Sequence, residues 1–167
     1  NKAGSSFGIS KVYEKKDLKA AIENAYEEDD EIIIEAFLDG TEVSVGVIKY
    51  EGKTKVLPIT EIVTENDFFD YAAKYEGKST EITPARISEV QEKKVIAMAQ
   101  KAYDILKMTG YSRSEFIFIG DDPYMLEMNT TPGLTEQSLL PQQAGVAGIS
   151  LSQLFESAIN EALGKKK

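Results

Sequence analysis

The stretch SEFIFIGDDPYMLEMNTTPG, residues 114–133, holds the densest set of groups that could do chemistry. Glu127 and Asn129 are two apart in a run that reads as a strand, so they share one face. Glu115 stands on the preceding strand, and register decides whether it joins them. If residues 119–123 form the loop, Phe118 pairs with Tyr124 and Glu115 lies opposite Glu127. If the loop is one residue shorter, Glu115 faces Met128 and the cluster dissolves. The first register also turns Phe116, Phe118, Leu126 and Met128 to the core, and it is the one expected. Two carboxylates directly opposite repel each other. A cation between them removes the objection, and magnesium takes one or two carboxylates together with phosphate oxygens. Arg113, two residues before Glu115, falls on the same strand face. The competing reading is a pair of solvated acids on a hairpin, and spacing alone does not choose between the two.

Other candidates are weaker when taken singly. GSSFGIS, near the start, is a small-residue loop able to wrap an anion with backbone N–H groups and hydroxyls. It has neither the Gly-Lys-Ser/Thr of a Walker A motif nor a preceding strand for a dinucleotide fingerprint. Lys74 lies in DYAAKYEGK, and most lysines are simply solvated. Glu35 and Glu42 flank the turn EAFLDGTE, where each also reads as an ordinary strand-end acid. Phe68, Phe69, Tyr71 and Tyr75 read first as core aromatics.

Composition narrows the chemistry further. The 167 residues are 42% hydrophobic, enough for a real core. A net charge of -9 disfavours nucleic acid and anionic membranes as partners. With no cysteine and no histidine, thiolate sites, common zinc sites, cysteine nucleophiles and imidazole bases are all excluded. Any metal must be hard and oxygen-ligated, with magnesium first. No signal peptide and no apolar run of transmembrane length is present, so a cytoplasmic location is expected. The opening on a glycine-rich loop, without a start methionine, reads as part of a longer protein.

The elements that must position these groups follow from periodicity. Leu18, Ala21, Ile22, Ala25 and Tyr26 repeat at helical spacing behind Asp17 as N-cap, and the acidic run from Glu27 ends that helix. EIIIEAF reads as a buried strand. EVSVGVIKY alternates Val43, Val45 and Val47 on one face, Glu51-Gly52 turns the chain into TKVLPI, and a further strand surrounds Ile62. Residues 64–84 are polar and non-periodic, a functional loop by length. Ser88 and Gln91 form a capping box for a helix with stripe Val95, Met98, Ala99, Ala102 and Leu106, closed by Gly110. The two strands around Glu115 and Glu127 are joined by a turn over Gly120–Pro123, and a loop rich in Thr, Pro and Gly follows. Ser150 and Gln153 then cap a last helix with stripe Leu151, Leu154, Phe155, Ala158 and Ile159. The class is α+β with a mainly antiparallel sheet and flanking helices.

Taken in order, GSSFGISKV, IIIEAFLDGTEVSVGV, LPITEIV, FFDYAAKY, PAR, LEMNTTPGLTEQSLLP and GISLSQLF resemble D-alanine–D-alanine ligases of the ATP-grasp superfamily along nearly the whole chain. The resemblance implies the ATP-grasp C-terminal subdomain over residues 35–167, with residues 1–34 the remainder of the central subdomain. It implies ATP-dependent dipeptide formation through an acylphosphate, for peptidoglycan synthesis. Glu35 and the backbone near Phe37 and Leu38 would hold adenine, and Glu42 the ribose hydroxyls. Glu115, Glu127 and Asn129 would bind two Mg2+ ions, with Mn2+ an acceptable substitute. Lys74 would touch the transferred phosphate, while Arg113 and the Gly133 amide stabilise the oxyanion. Ser138 and the Leu139 amide would receive the second substrate's carboxylate, and Ser5, Ser6 and Tyr75 would close a lid. Partners are then D-alanine and ATP, with no nucleic acid and no membrane. The resemblance allows a homodimer for the full-length protein.

One departure stands out. The family usually has Asp where this chain has Glu115, which adds a methylene to one metal ligand. The region binding the first D-alanine has no counterpart in these residues, so the isolated chain is expected to be inactive. The competing functions are an ATP-grasp ligase for a D-lactate or other carboxylate–amine pair, and a non-catalytic nucleotide-binding module. Tyr75 after Lys74 resembles the dipeptide-forming members.

Overall fold

The computed structural model describes residues 8–64 and 79–164, which fall in two units. The first comprises residues 1–38 and 63–80, the second residues 39–62 and 81–167.

In the first unit a 3-10 turn at Lys15–Asp17 leads into α1, Leu18–Glu28. Asp17 sits at the N-cap position but its side chain makes no capping bond, because its backbone is already helical as part of that turn. Gly8 adopts φ +69°, which favours glycine, and a Cβ there would stand 2.7 Å from Glu28 Cγ and would have to displace that side chain. EIIIEAF is a correction: residues 32–39 carry no strand, and Ile33 and Ile34 are 68% and 66% exposed. A strand needs a neighbour for its N–H and C=O groups, and none of the described strand pairings involves this stretch.

The second unit holds most of a sheet of β1 (Thr41–Tyr50), β2 (Lys53–Val56), β3 (Thr60–Thr64), β4 (Ser79–Ile82), β5 (Tyr111–Ile119) and β6 (Asp122–Asn129), residues 63–64 of β3 and 79–80 of β4 being counted in the first unit. The order is β4-β3-β1-β5-β6, with β2 pairing the far end of β1. Every pairing whose register is described is antiparallel. The tight β1–β2 turn has Glu51 and Gly52 both at positive φ, as a two-residue hairpin of this twist demands. Within the expected functional loop, Ser79–Ile82 is strand, while residues 65–78 lie outside the described ones.

The sheet has two unlike faces because β1 alternates. Val43, Val45 and Val47 join Phe116 and Phe118 on one face, under Val95, Ala99 and Tyr103 of α2 (Glu89–Ile105). Each fully buried Val or Phe among them contributes roughly 1.5–3 kcal/mol by leaving water. The Ser88–Gln91 capping box is present. The stripe is rotated from expectation: Tyr103 is buried, whereas Met98 and Leu106 are 38% and 57% exposed. The helix closes on Lys107 at φ 53°, not on Gly110, whose carbonyl instead accepts from Lys49 N and Tyr103 Oη.

On the other face Ile48 and Leu57 pack with α3 (Leu139–Val146) and α4 (Leu151–Ala162), through Leu140, Ala144, Ile149 and Leu154. Helix α3 differs from the loop that the Thr, Pro and Gly content of this stretch predicts. Pro141 lies in its first turn, where a missing N–H breaks nothing. The α4 capping box is present, but Phe155 and Ile159 are 40% and 57% exposed, so only part of its stripe is used. Among the described residues no helix is long and apolar enough to cross a membrane.

Candidate functional site

The β5–β6 hairpin turns on two residues, Gly120 and Asp121, since Ile119 pairs with Asp122. Phe118 therefore pairs with Pro123 rather than Tyr124, and from that end Glu115 would meet Leu126. The ladder instead skips Leu126, an irregularity between Glu115 and Phe116 that restores Glu115 opposite Glu127 and Arg113 opposite Asn129. The expected pairing is thus present for a different reason. A bulge, not a longer turn, delivers it. Leu126 is 47% exposed, so its expected core position is corrected too.

The result is a two-by-two block on the sheet face away from α2. Arg113 and Glu115 come from β5, and Glu127 and Asn129 from β6. Across β1, Ser44 pairs with Glu115, Gly46 with Arg113 and Glu42 with Ile117. Arg113 Nε donates to Glu115 Oε1 at 2.7 Å, with side-chain exposures of 20% and 11%. Burial pushes the Glu115 carboxyl up from the usual carboxylate range, as does Glu127, while Arg113 pulls it back. Glu81 on β4 is also pushed up, by partial desolvation first and by Glu115, against the pull of Arg113. Asn129 Oδ1 accepts from Thr131 N at 3.1 Å, which starts the loop that follows β6.

Among the described residues no group of three or more His, Cys, Asp or Glu is arranged to hold a metal. Glu115 and Glu127 supply two facing carboxylates, and Asn129 adds a carboxamide oxygen on the same face. Opposed carboxylates, one of them buried and held above its ordinary value, fit a hard oxygen-ligated ion, which would relieve their repulsion.

Gly133 closes the loop after β6 against the start of α3. A Cβ on Gly133 would meet Ser138 Oγ at 2.7 Å. Ser138 is the N-cap of α3, yet its side chain makes no capping bond. Its hydroxyl instead lies 2.9 Å from Thr135 Oγ1, and its N–H donates to Thr135 O. The first turn of α3 therefore keeps N–H groups without a side-chain cap, beside a hydroxyl and a glycine amide.

The remaining expected residues divide by unit. Glu35, Phe37 and Leu38 lie in the first unit, in the irregular segment before β1, with Glu35 and Phe37 exposed. Lys11 Nζ stands 3.7 Å from the Phe37 ring centroid, a cation–π contact. Glu42 is half-buried on β1, on the same sheet face as Ser44. Ser5, Ser6, Lys74 and Tyr75 lie outside the described residues. Two neighbours escaped sequence reasoning. Ser44 was legible, as the polar alternate of EVSVGV facing away from the valines. Gln143 had no signal, since α3 itself was not foreseen.

Comparison with known proteins follows the same outline. The family model described as D-ala D-ala ligase C-terminus matches residues 1–160. A D-alanine--D-alanine ligase of Flavobacterium johnsoniae is 69% identical over 163 residues, covering 98% of this chain and 50% of that protein. One of Christiangramia forsetii is 59% identical, over 99% of this chain and 51% of its own length. The chain thus spans about half the length of the curated relatives it matches. Among solved structures, the Bacillus anthracis D-alanine--D-alanine ligase complexed with ATP superposes with TM-score 0.77 at 30% identity, over 93% of this chain and 49% of that one. The VanG D-Ala:D-Ser ligase of Enterococcus faecalis gives 0.80 at 36%, over 98% and 47%.

Proposed function

Because the chain belongs to the D-ala D-ala ligase C-terminus family, we propose that it is the ATP- and magnesium-binding part of an enzyme that joins two D-alanine molecules at the expense of ATP. The observation that carries this reading is the Arg113–Glu115–Glu127–Asn129 block, with the Gly133–Ser138 contact beside the start of α3. Residues 1–34 would complete the central subdomain and residues 35–167 form the C-terminal one. The reaction would run in the cytoplasm, in service of peptidoglycan synthesis.

In this reading ATP phosphorylates the carboxylate of one D-alanine, and the amine of the second attacks the acylphosphate carbonyl, loses a proton and displaces inorganic phosphate from the tetrahedral intermediate. Glu115, Glu127 and Asn129 would hold two magnesium ions, which supply neutralisation of phosphate charge when bound. The chain's own groups do the rest. The Arg113 guanidinium, oriented through Nε by Glu115, aims its outer N–H groups at the oxyanion that develops on attack, together with the Gly133 amide. Ser138 Oγ and the Leu139 N–H receive the carboxylate of the second D-alanine, where the uncapped first turn of α3 favours an anion. Glu35, with the backbone at Phe37 and Leu38, takes adenine, and Glu42 the ribose. By the sequence resemblance, Lys74 contacts the transferred phosphate, and Ser5, Ser6 and Tyr75 exclude water from the acylphosphate.

The test is phosphate release by the full-length protein with magnesium-ATP and D-alanine, L-alanine, D-serine or D-lactate, alongside Glu127→Gln. Release with D-alanine alone, lost in the variant, is expected. The D-serine arm is included because a relative named D-Ala:D-Ser ligase superposes as well as those named for D-alanine. Release that requires D-serine or D-lactate keeps the chemistry and changes the second substrate. No release with any of them returns the chain to a nucleotide-binding module.

A further inference from the structure

We propose that Gln143 is a positioning residue that sets the first turn of α3, and so the second substrate's carboxylate seat, against the Arg113–Glu115 strand. The proposal rests on the ligase reading above. Gln143 is fully buried, five residues along α3 from Ser138. Its Nε2 donates to the Ser44 backbone oxygen and to Thr60 Oγ1, both at 2.9 Å. Ser44 is the residue directly opposite Glu115 in the β1–β5 ladder. Thr60 Oγ1 in turn lies 2.6 Å from Thr83 Oγ1, so the amide joins α3, β1, β3 and the segment after β4.

Packing does not require this amide. Leu140 and Ala144, on the same helix, already seal α3 against Ile48 and Leu57. Gln143 Oε1 is buried without a hydrogen-bond partner, which costs stability. The sheet also leaves room beside it: a Cβ on Gly46 would stand 2.4 Å from Gln143 Oε1 and 3.0 Å from the Cδ1 atoms of Leu140 and Leu57. A polar group kept at such cost, with room made for it, fixes geometry that apolar contacts leave free to slide. A hydrophobic interface tolerates a small shift of α3 along the sheet; two hydrogen bonds from one amide do not. Gly46 is opposite Arg113 and Ser44 opposite Glu115, so the fixed distance runs from Ser138 to the two groups that handle the oxyanion and the phosphates.

The experiment is steady-state kinetics of the full-length protein with magnesium-ATP and D-alanine, together with thermal melts. Gln143→Met removes the amide at nearly constant volume. It is expected to raise KM for the second D-alanine about tenfold and leave KM for ATP within about twofold, with little change in Tm, because loss of the unpaired Oε1 offsets loss of the donor to Ser44 O and Thr60 Oγ1. Gly46→Ala, which drives a methyl into the amide, is expected to raise the same KM and lower Tm. Adding Gln143→Ala to it is expected to recover part of the lost Tm, since Leu57 and Leu140 still crowd the methyl, but not KM. A filler role predicts the reverse pattern, a lower Tm with unchanged KM in Gln143→Met, and that result overturns the proposal. Should Gln143→Met fail to fold, Gly46→Ala with the original KM overturns it equally. Absence of phosphate release by the wild-type protein with D-alanine overturns the ligase reading itself, and the inference with it.

Discussion

Arg113 donates through Nε to Glu115 two residues along the same strand, at 2.7 Å, and both side chains are largely withdrawn from water. The bond orients the guanidinium plane and leaves its outer edge for other partners. It offsets only part of what burial does to Glu115, whose carboxyl still sits above its usual range. Glu115 therefore depends on Arg113 for its counter-charge.

Removing Arg113 should thus cost stability as well as chemistry. Arg113→Met leaves a buried carboxylate unpaired and is expected to destabilise the protein by about 3 kcal/mol in denaturant titrations. Glu115→Gln in the same background should recover most of that loss. An Arg113→Met protein as stable as wild type would show that the pair does not hold Glu115 in the folded state.

Gly133→Ala tests the seat proposed for the second substrate. The new methyl would meet Ser138 Oγ at 2.7 Å, and the serine must move to relieve it. Because Gly133 is exposed, the melting temperature should change little. Activity of the full-length protein should fall about a hundredfold, since a shift of about 1 Å at a reacting group has that scale of effect. Wild-type turnover in this variant would remove Gly133 and Ser138 from the site.

How much of this was legible in the sequence varies with the kind of signal. The capping boxes at Ser88 and Ser150 are purely local, and both are present. The valine alternation of β1 is equally local and gave the core face directly. The Glu115–Glu127 opposition was reached through a turn that does not exist, because a bulge at Leu126 compensates for a shorter hairpin. One-residue irregularities have no composition of their own, so two registers with the same end point look alike. EIIIEAF failed because apolar β-branched residues specify a strand only when a neighbour supplies its hydrogen bonds. Helix α3 was hidden because a stretch rich in Thr, Pro and Gly reads as loop, although Pro141 falls in the first turn, where it is tolerated. Gln143 was invisible for the same reason, being a tertiary contact of an unforeseen helix.

Three helix-start serines separate stability from function. Ser88 and Ser150 each accept from the backbone N–H three residues on, at 3.2 Å, whereas Ser138 makes no such bond. Ser88→Ala and Ser150→Ala are each expected to cost about 1 kcal/mol in denaturant titrations, with kinetics unchanged. Ser138→Ala should leave stability nearly intact and raise KM for the second D-alanine. A Ser138→Ala protein destabilised as much as Ser88→Ala would mean that its hydroxyl caps the helix after all.

The acid limb of stability should report on Glu61, on β3, and Arg86. Arg86 Nε and Nη2 donate to the two Glu61 carboxylate oxygens at 2.8 and 2.9 Å, and its backbone N–H adds a third bond at 3.2 Å. The Arg86 hydrogen bond holds the Glu61 carboxyl below its ordinary 4.5, against burial, which pushes it up. With the folded value the lower one, the unfolded chain binds more protons in the window between them. The stabilisation is therefore present above the ordinary value and is lost as pH falls through the folded one. Melting temperatures of wild type and Glu61→Gln should differ by a few degrees at neutral pH and converge as the solution is acidified. Arg86 is 63% exposed at its side chain, so added salt should shrink the gap without closing it, since the hydrogen bonds survive screening. A gap that stays constant from neutral to acid pH would mean that Glu61 contributes by shape alone and not by its charge.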